Sequence, residues 1–584
     1  MSFLRPNLPD LDVAEWSERP HLERIRPLSQ HWVENGFGSP SALYLLYVVK
    51  MAVYVAGAVA LISTTPGLGL SHISRWWSEP IVFQKFVVWN LLFEALGLGG
   101  SSGPLTFRFM PPVGGFLYWL RPGTTRLPAW PDRVPLTRGN RRSMVDVALY
   151  AGVIASTLYI LLSPGGGAVS AGNHVGTLHW TVLLPLATLL PILGARDKTI
   201  FWAARSEQYF ILVLVFFFPL TSMIAAAKVV MVGVWWGAAT SKLNHHFPFI
   251  VSVMMSNSPL VQSKSVKRAM YRDYPDDILP SKLAFFVAHT GTVIEYLVPL
   301  LLLLSHGGTL TVLCLVVMVI FHLHIIATFP VGAPLEWNIF VIFSALFLFG
   351  HYASVSVFTS GAPLLVLLVV VAVVATPIVG NIRPDLVSFL PSFRYYAGNW
   401  ATSLWCFRKG CEDRLDECIK KTSPSVSKQL TKLYGAQIAE LIQQKGMAWR
   451  SMHSHGRGLN GLLPRALDNP EDYDIREGEL IAGGVLGWNF SDGHLHDERL
   501  LAAVQDQCNF APGELRVVML ESEPALPGRG RGRQCYRIAD AATGEVERGY
   551  IKVDDMVTRQ PWLGGDGAIP VTVTTTPVRG TATA

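Results

Sequence analysis

Long apolar runs alternate with short polar connections over the first two-thirds of the chain. A membrane-spanning helix needs about 20 apolar residues. The pattern predicts spans near 42–62, 80–98, 144–163, 177–194, 208–225, 226–243, 283–305, 309–328, 336–350 and 362–380. The run from Tyr209 to Thr240 is too long for one ordinary helix, and Pro219 with Thr221-Ser222 predicts a hairpin or a kinked pair there. Its one charge, Lys228, then falls at the outer end of the second span, where it can snorkel. Segment 103–122 (GPLTFRFMPPVGGFLYWLRP) is too broken to span and too apolar for a free loop. It reads as a re-entrant or interfacial segment covered by protein.

After Arg383 the pattern changes. Segment 411–447 alternates charged and apolar residues at helical period. Segment 480–553 reads as strands: VLGWNF, ELRVVMLES and a hairpin, QCYRIADAATGEVERGYIKV, turning at Ala542–Gly544, with a helix expected over 495–507. The tail from Gly567 is rich in Thr, Gly and Pro and reads as disordered. The expected architecture is an all-α polytopic membrane bundle of about ten spans with a small C-terminal α+β soluble domain. Its parts are an N-terminal cytoplasmic segment 1–41, a transmembrane domain 42–382, a cytoplasmic domain 383–565 and a tail 566–584. No signal peptide is expected, because the first apolar run starts near Ala42 and is too long for one.

Composition sharpens this division. Charged residues make up 15% of the 584, against about 25% in soluble proteins. The deficit is local: from Leu283 to Gly380 the only acidic or basic side chains are Glu295 and Glu336. The net charge of +6 resides largely in loops. Segment 100–143 carries Arg108, Arg121, Arg126, Arg133, Arg138, Arg141 and Arg142, and segment 257–282 carries Lys264, Lys267, Arg268, Arg272 and Lys282. Segments 164–176, 306–308 and 352–361 carry neither Lys nor Arg. The positive-inside rule then puts both termini in the cytoplasm of a bacterial inner membrane. Aromatic–basic interleaving of the kind that binds nucleic acid is not visible. The six cysteines, Cys314, Cys406, Cys411, Cys418, Cys508 and Cys535, have neither zinc-ribbon nor disulfide-framework spacing and read as reduced thiols.

Charges at membrane depth cost several kcal/mol and normally face an interior cavity. The segment WWGAATSKLNHHFPF holds Trp235, Lys242, Asn244, His245 and His246. A buried lysine can act as a general base, whereas one at the interface merely snorkels. Asn173, His174 and His179 stand at the mouth of a span. Glu295 lies deep in an uncharged one, with Lys242 as a candidate partner. In FHLHIIATFPVGAPLEWNIF, His322 and His324 point apart on a helix, and Glu336, Trp337 and Asn338 open the next span, where Glu336 also suits a helix N-terminus. In SKSVKRAMYRDYPDDILPSK, Asp273, Asp276 and Asp277 are candidate Mg²⁺ ligands, with Arg268 and Arg272 for a diphosphate; a solvated loop looks the same. The pairs His453/His455 and His494/His496 are weak zinc candidates.

Several of these motifs resemble the vitamin K-dependent gamma-carboxylase superfamily, the horizontally transferred transmembrane domain, over residues 140–345. WGAATSKLNHHF is similar to its "aG-x-x-K-L" segment. The resemblance implies Lys242 as the base that deprotonates a hydroquinone. Asn173-His174 looks like its Asn-His pair, and Glu295 with Pro299 and Trp337-Asn338 fit its pattern. The carboxylase's large lumenal domain and propeptide-binding region have no counterpart, so peptide carboxylation is not implied. The whole chain, including FHLH, PLEWN and GWNFSDGHLHDE, is similar to a bacterial transmembrane family of unknown function.

One expectation is a membrane enzyme acting on an isoprenoid- or quinone-like lipid. Lys242 would be its base, His174 its hydrogen-bond partner or proton shuttle, and Glu295 its orienting group. Asn173, Asn244, His245, His246, Trp235, His322, Trp337, Asn338, Arg268 and Arg272 would then bind substrate, with a quinol as cofactor. A variant is a terpene cyclase or transferase binding a prenyl diphosphate through Mg²⁺. The competing expectation is a non-enzymatic lipid-binding or transport-accessory protein whose C-terminal domain docks a protein partner.

Overall fold

The computed structural model describes residues 3–99, 115–166, 173–328, 335–488, 492–524, 531–562 and 568–575. Within them, six helices are long and apolar enough to cross a membrane: Ser41–Ser63, Met144–Leu162, Leu220–Ser241, Lys282–Ser305, Gly308–Thr328 and Pro363–Ile382. The remaining expected spans form shorter helices, Pro80–Ala95, Trp180–Arg196, Glu207–Val215 and Leu335–Ala345, the last continuing as a π-helical turn over Leu346–His351. Of the about ten expected spans, six are thus helices long and apolar enough to cross a membrane and four are shorter. Pro219 splits the run from Tyr209 to Thr240 as a hairpin would, which leaves only a short first arm. Pro80–Ala95 is buried on every face, so protein rather than lipid surrounds it.

Side chains such as Val48, Leu297, Leu313, Leu367 and Val371 stand exposed on the outer helices, as a lipid-facing surface requires. Inside, charges are matched. Glu94 pairs with Arg205, Lys50 lies 3.7 Å from Glu336, and Lys85 donates to Thr65 Oγ1 and the Leu161 carbonyl at 2.6 and 2.7 Å. Lys228 does not snorkel: it is buried, and its ammonium donates to the carbonyls of Tyr352, Ala353 and Val355. Those carbonyls follow a helix end, where unpaired acceptors are available to a cation.

The C-terminal part builds a six-stranded antiparallel sheet of order β4-β3-β5-β6-β7-β8 from β3 (Thr402–Arg408), β4 (Tyr473–Glu477), β5 (Leu515–Leu520), β6 (Arg533–Asp540), β7 (Gly544–Lys552) and β8 (Val571–Thr575). A separate hairpin pairs β1 (Tyr271–Asp273) with β2 (Asp277–Pro280). Strand β3, between the edge strand β4 and β5, is apolar on both faces. Trp405 and Phe407 join the core of the helical bundle, while Leu404 and Cys406 join a second core under helices Ala436–Ser451 and Ser454–Ala466. That second core also takes Trp16, Ile25 and Leu28 from the N-terminal helices. The sheet thus works as a partition, wetted on neither face at its centre.

Several local expectations change. VLGWNF starts not as a strand but as the last two residues of the helix Gly478–Leu486, which Glu477 caps at one end and Gly487 at φ 86° ends; residues 489–491 lie outside the described part. Strands β3 and β4 lie outside the segments read as extended. The tail is not wholly irregular, because Val571–Thr575 pairs with β7; residues 576–584 lie outside the described part. Of segment 103–122, residues 103–114 lie outside it too. The remainder is covered by the C-terminal part: Tyr118 Oη donates to the Lys420 carbonyl at 2.8 Å, and Trp119 packs on Tyr150 and Trp488.

The basic loops, the N-terminal helices and the sheet share one end of the bundle. Arg24 meets Glu471 at 2.7 Å, Arg26 meets Asp276 at 3.2 Å, and Lys198 donates to the His494 carbonyl at 2.8 Å. Asp197 anchors the loop before Met144 to this end. Its Oδ2 accepts from Arg142 at 2.9 Å and Tyr150 at 2.8 Å, and its Oδ1 from the Thr199 N–H at 3.2 Å. Breaking a buried pair by removing one charge costs about 3–5 kcal/mol. Asp197→Asn should therefore lower the thermal unfolding temperature of the detergent-solubilised chain; an unchanged transition would show that Arg142 is satisfied without it.

Candidate functional site

The Leu220–Ser241 helix ends where Asn244 takes over the backbone. Asn244 Nδ2 donates to the Ser241 carbonyl at 2.6 Å, and its Oδ1 accepts from the N–H groups of His246 and Phe247 at 2.8 and 3.1 Å. Asn244 is therefore a capping residue, not a free ligand-binding amide. The reversal brings Lys242, at the helix end, into an ion pair with Glu295 from the middle of Lys282–Ser305. Both are buried, and the ammonium also lies 5.3 Å from the Phe247 ring centroid.

Beside this pair, Trp235 Nε1 donates to His322 Nε2 at 3.1 Å, and His322 Nδ1 is 3.0 Å from Asn338 Oδ1. An indole N–H can only donate, so Nε2 accepts and the imidazole proton sits on Nδ1, shared with Asn338. Both ring nitrogens are committed, which makes His322 a fixed polar wall.

These residues line a chamber of about 640 Å³. Its membrane side comes from Trp235, Lys242, Glu295, Phe321, His322, Trp337 and Asn338. Its other side comes from the C-terminal part, with Tyr395, Trp400, Tyr434, Gln443, Trp449, His453, Glu477 and Glu479. Trp32, Phe37 and Pro40 of the N-terminal part complete the wall. A pocket of this size, mostly apolar with a few convergent polar groups, suits a small amphipathic ligand.

The other expected residues are elsewhere. His174 is exposed, and its N–H donates to Glu79 at 3.1 Å. Trp77, two residues before Glu79, packs edge-on against His351 at 5.4 Å, next to the Tyr352 carbonyl that Lys228 holds. Lys242 lies fourteen residues beyond Lys228 on the helix, a rise of about 21 Å. The expected trio therefore reduces to Lys242 and Glu295, because His174 belongs to the opposite end of the bundle. Asn173 is buried and accepts from the Gly176 N–H at 2.7 Å, closing its own turn. His245 is exposed, while His246 is buried against Ser454 at 2.6 Å and Glu523 at 2.9 Å, joining the helices to the C-terminal part. Burial opposes ionisation of Glu523, yet the His246 contact and the Gly532 N–H hold its carboxyl below the usual range.

The Mg²⁺ and diphosphate expectation is not met by the geometry. Asp273 is exposed, Asp276 faces Arg26, and Asp277 faces Arg272 at 3.5 Å, while Arg268 is taken by Glu34. Glu336 does not simply cap a helix, because it is buried beside Lys50. Among the described residues, no group of three or more His, Cys, Asp or Glu is placed to hold a metal. His453 and His455 stack at 5.3 Å, but their nitrogens face Trp449, Arg450 and Gly398. His496 bonds Ser403 and His494 bonds Asp492 and Glu521.

A family model covers residues 1–574, and its description is a transmembrane protein of unknown function (DUF3556). The chain belongs to this family. No curated protein and no solved structure matches it. The gamma-carboxylase likeness of residues 140–345 therefore rests on its short motifs alone.

Sequence reading missed most of the C-terminal side of this family member's chamber, because the residues that close it, His453 of the H-x-H pair apart, carry no motif. It also passed over Lys50, Lys85 and Glu94, although each interrupts an apolar run and so carried a visible signal. In the Lys242–Glu295 pair, removing one partner strands the other in apolar surroundings, whereas removing both need not. Lys242→Met should destabilise by about 3–5 kcal/mol, and Lys242→Met with Glu295→Gln by clearly less, read by thermal unfolding in detergent. Equal losses would argue that the two groups are not coupled.

His494 gives a pH test. Burial lowers its affinity for a proton, but Glu521 and Asp492 outweigh that and raise its pKa to about 10. Its stabilising charge is present in full below the ordinary value of about 6.5 and is lost as pH rises through about 10. Stability should therefore fall over that interval, and His494→Gln should flatten the fall; a wild-type profile independent of pH between 7 and 10 contradicts the clamp.

Proposed function

We propose that this membrane protein takes an amphipathic, isoprenoid- or quinone-like lipid into the chamber and acts on its polar end by acid–base chemistry. The observation that carries the reading is the buried Lys242–Glu295 pair set in an aromatic, apolar chamber beside the fixed Trp235–His322–Asn338 chain. The resemblance of the Lys242 segment to a lysine that deprotonates a hydroquinone supports the same chemistry. As an ammonium Lys242 cannot be a base. In a dry site, transfer of one proton from Nζ to the Glu295 carboxylate gives a neutral amine and a neutral acid, which relieves the cost of two buried charges. The amine can then take a proton from a ligand hydroxyl within reach, and the Asn338 amide, held in place by His322, orients that ligand.

The basic loops lie at the same end as the C-terminal sheet. This favours a bacterial inner membrane with that end in the cytoplasm. With the shorter apolar helices completing crossings inside the bundle, both termini fall on that side.

Lipid profiling tests the reading. A strain lacking the chain should accumulate or lose one isoprenoid lipid class, which wild type and His174→Ala restore. Lys242→Met with Glu295→Gln, folded as judged by its unfolding transition, should restore turnover at least about 100-fold less well. Full rescue by the double variant rejects the pair as the acid–base centre. Retained lipid binding with an unaltered lipid profile in the deletion strain points instead to a non-enzymatic carrier.

A further inference from the structure

Resting on that reading, we infer that the chamber's ligand carries an uncharged polar end, a quinone or alcohol rather than a phosphate or diphosphate. The polar end would lodge between the two polar walls, and the tail would leave sideways into the bilayer.

The charges of the lining carry the argument. Among the described lining residues there is one ammonium, Lys242, against three carboxylates, Glu295, Glu477 and Glu479. Lys242 is already committed to Glu295. At the opposite wall Arg450, buried behind them, pairs with both Glu477 and Glu479, the latter at 3.3 Å. Arg450 also donates to His455 Nε2 at 3.0 Å, which leaves that imidazole neutral. Burial, reinforced by the Arg450 charge, pushes His453 down to about 3, so it adds no positive charge. Among its described lining residues the wall formed by the C-terminal part thus presents two carboxylates and no cation. A phosphate brought there would be desolvated against like charge, whereas a hydroxyl or carbonyl would find carboxylate acceptors and the Gln443 amide.

The exit for the tail is equally concrete. Phe286 lines the chamber and is 70% exposed on the lipid-facing side of Lys282–Ser305. Met254, Met255, Phe321 and Ile325 continue that apolar wall from the neighbouring helices. Unbranched methionines adapt to a flexible chain. The opening lies at the end of the bundle where the C-terminal part docks, so the ligand is drawn from the adjoining leaflet.

The full chain in neutral detergent would be incubated with a long-chain polyprenol, a quinone with the same tail, or the polyprenyl phosphate of the same length. Bound lipid per protein is then measured by mass spectrometry. The two neutral lipids should be retained at least about tenfold better than the phosphate. Gln443→Lys, a change at a half-buried position on the negative wall, should raise phosphate retention, and Glu479→Gln should do the same while Glu477 keeps its pair with Arg450. Phosphate retention equal to or above that of the neutral lipids, or unmoved by Gln443→Lys, overturns this inference and leaves the lipid-binding reading standing. Retention of none of the three overturns both.

Discussion

An ionised side chain cannot be left alone in apolar surroundings, and the interior of this protein is organised around that constraint. Glu94 answers Arg205, Glu336 answers Lys50 and Glu295 answers Lys242, each across two different segments. Lysines without a carboxylate, Lys85 and Lys228, bind carbonyls at helix ends instead. Each such pairing fixes one segment against another, because the partner groups must meet within a few ångströms. Charges that cost several kcal/mol to bury thereby specify which arrangement of largely featureless apolar helices is adopted.

The sheet extends the same logic beyond the bundle. Because β3 is apolar on both faces, the bundle core runs into the C-terminal part through Trp405 and Phe407 without a polar seam. The chamber is a gap in that shared core. Its bundle side offers a neutral ion pair, and its other side offers carboxylates held by a buried arginine. Two chemically different surfaces thus face each other across it, and neither half of the chain owns both.

Much of the bundle was legible in the sequence because hydrophobic length and interruption are local properties. The runs ending at Ser63, Leu162, Ser241, Ser305, Thr328 and Ile382 fall where their composition says. Helix length within the packed interior was not legible: Pro80–Ala95 is apolar enough to suggest a span, and only its neighbours show that it meets no lipid. At the site, Lys242 and Glu295 stood out as isolated charges, and chain order gave no hint that His174 belongs to the other end. Glu477, Glu479 and Arg450 look like ordinary soluble-protein residues in sequence. Arg450 is buried against Trp400, Trp449 and His455 and pairs with Glu477 and Glu479, contacts across several turns of chain that no local pattern records.

The helix His21–Asn35 packs through Ile25 and Leu28 against Ala436–Ser451, whose Leu441, Met447 and Ala448 complete the same core. The ribosome makes the first of these partners some four hundred residues before the second. At about 5–20 residues per second, that separation is roughly 20–80 s. During that interval the early helix has an apolar stripe with nothing of its own chain to cover it. The early helix can close on Ala436–Ser451 only after all the intervening membrane segments have been made, so this docking follows their synthesis rather than guiding it.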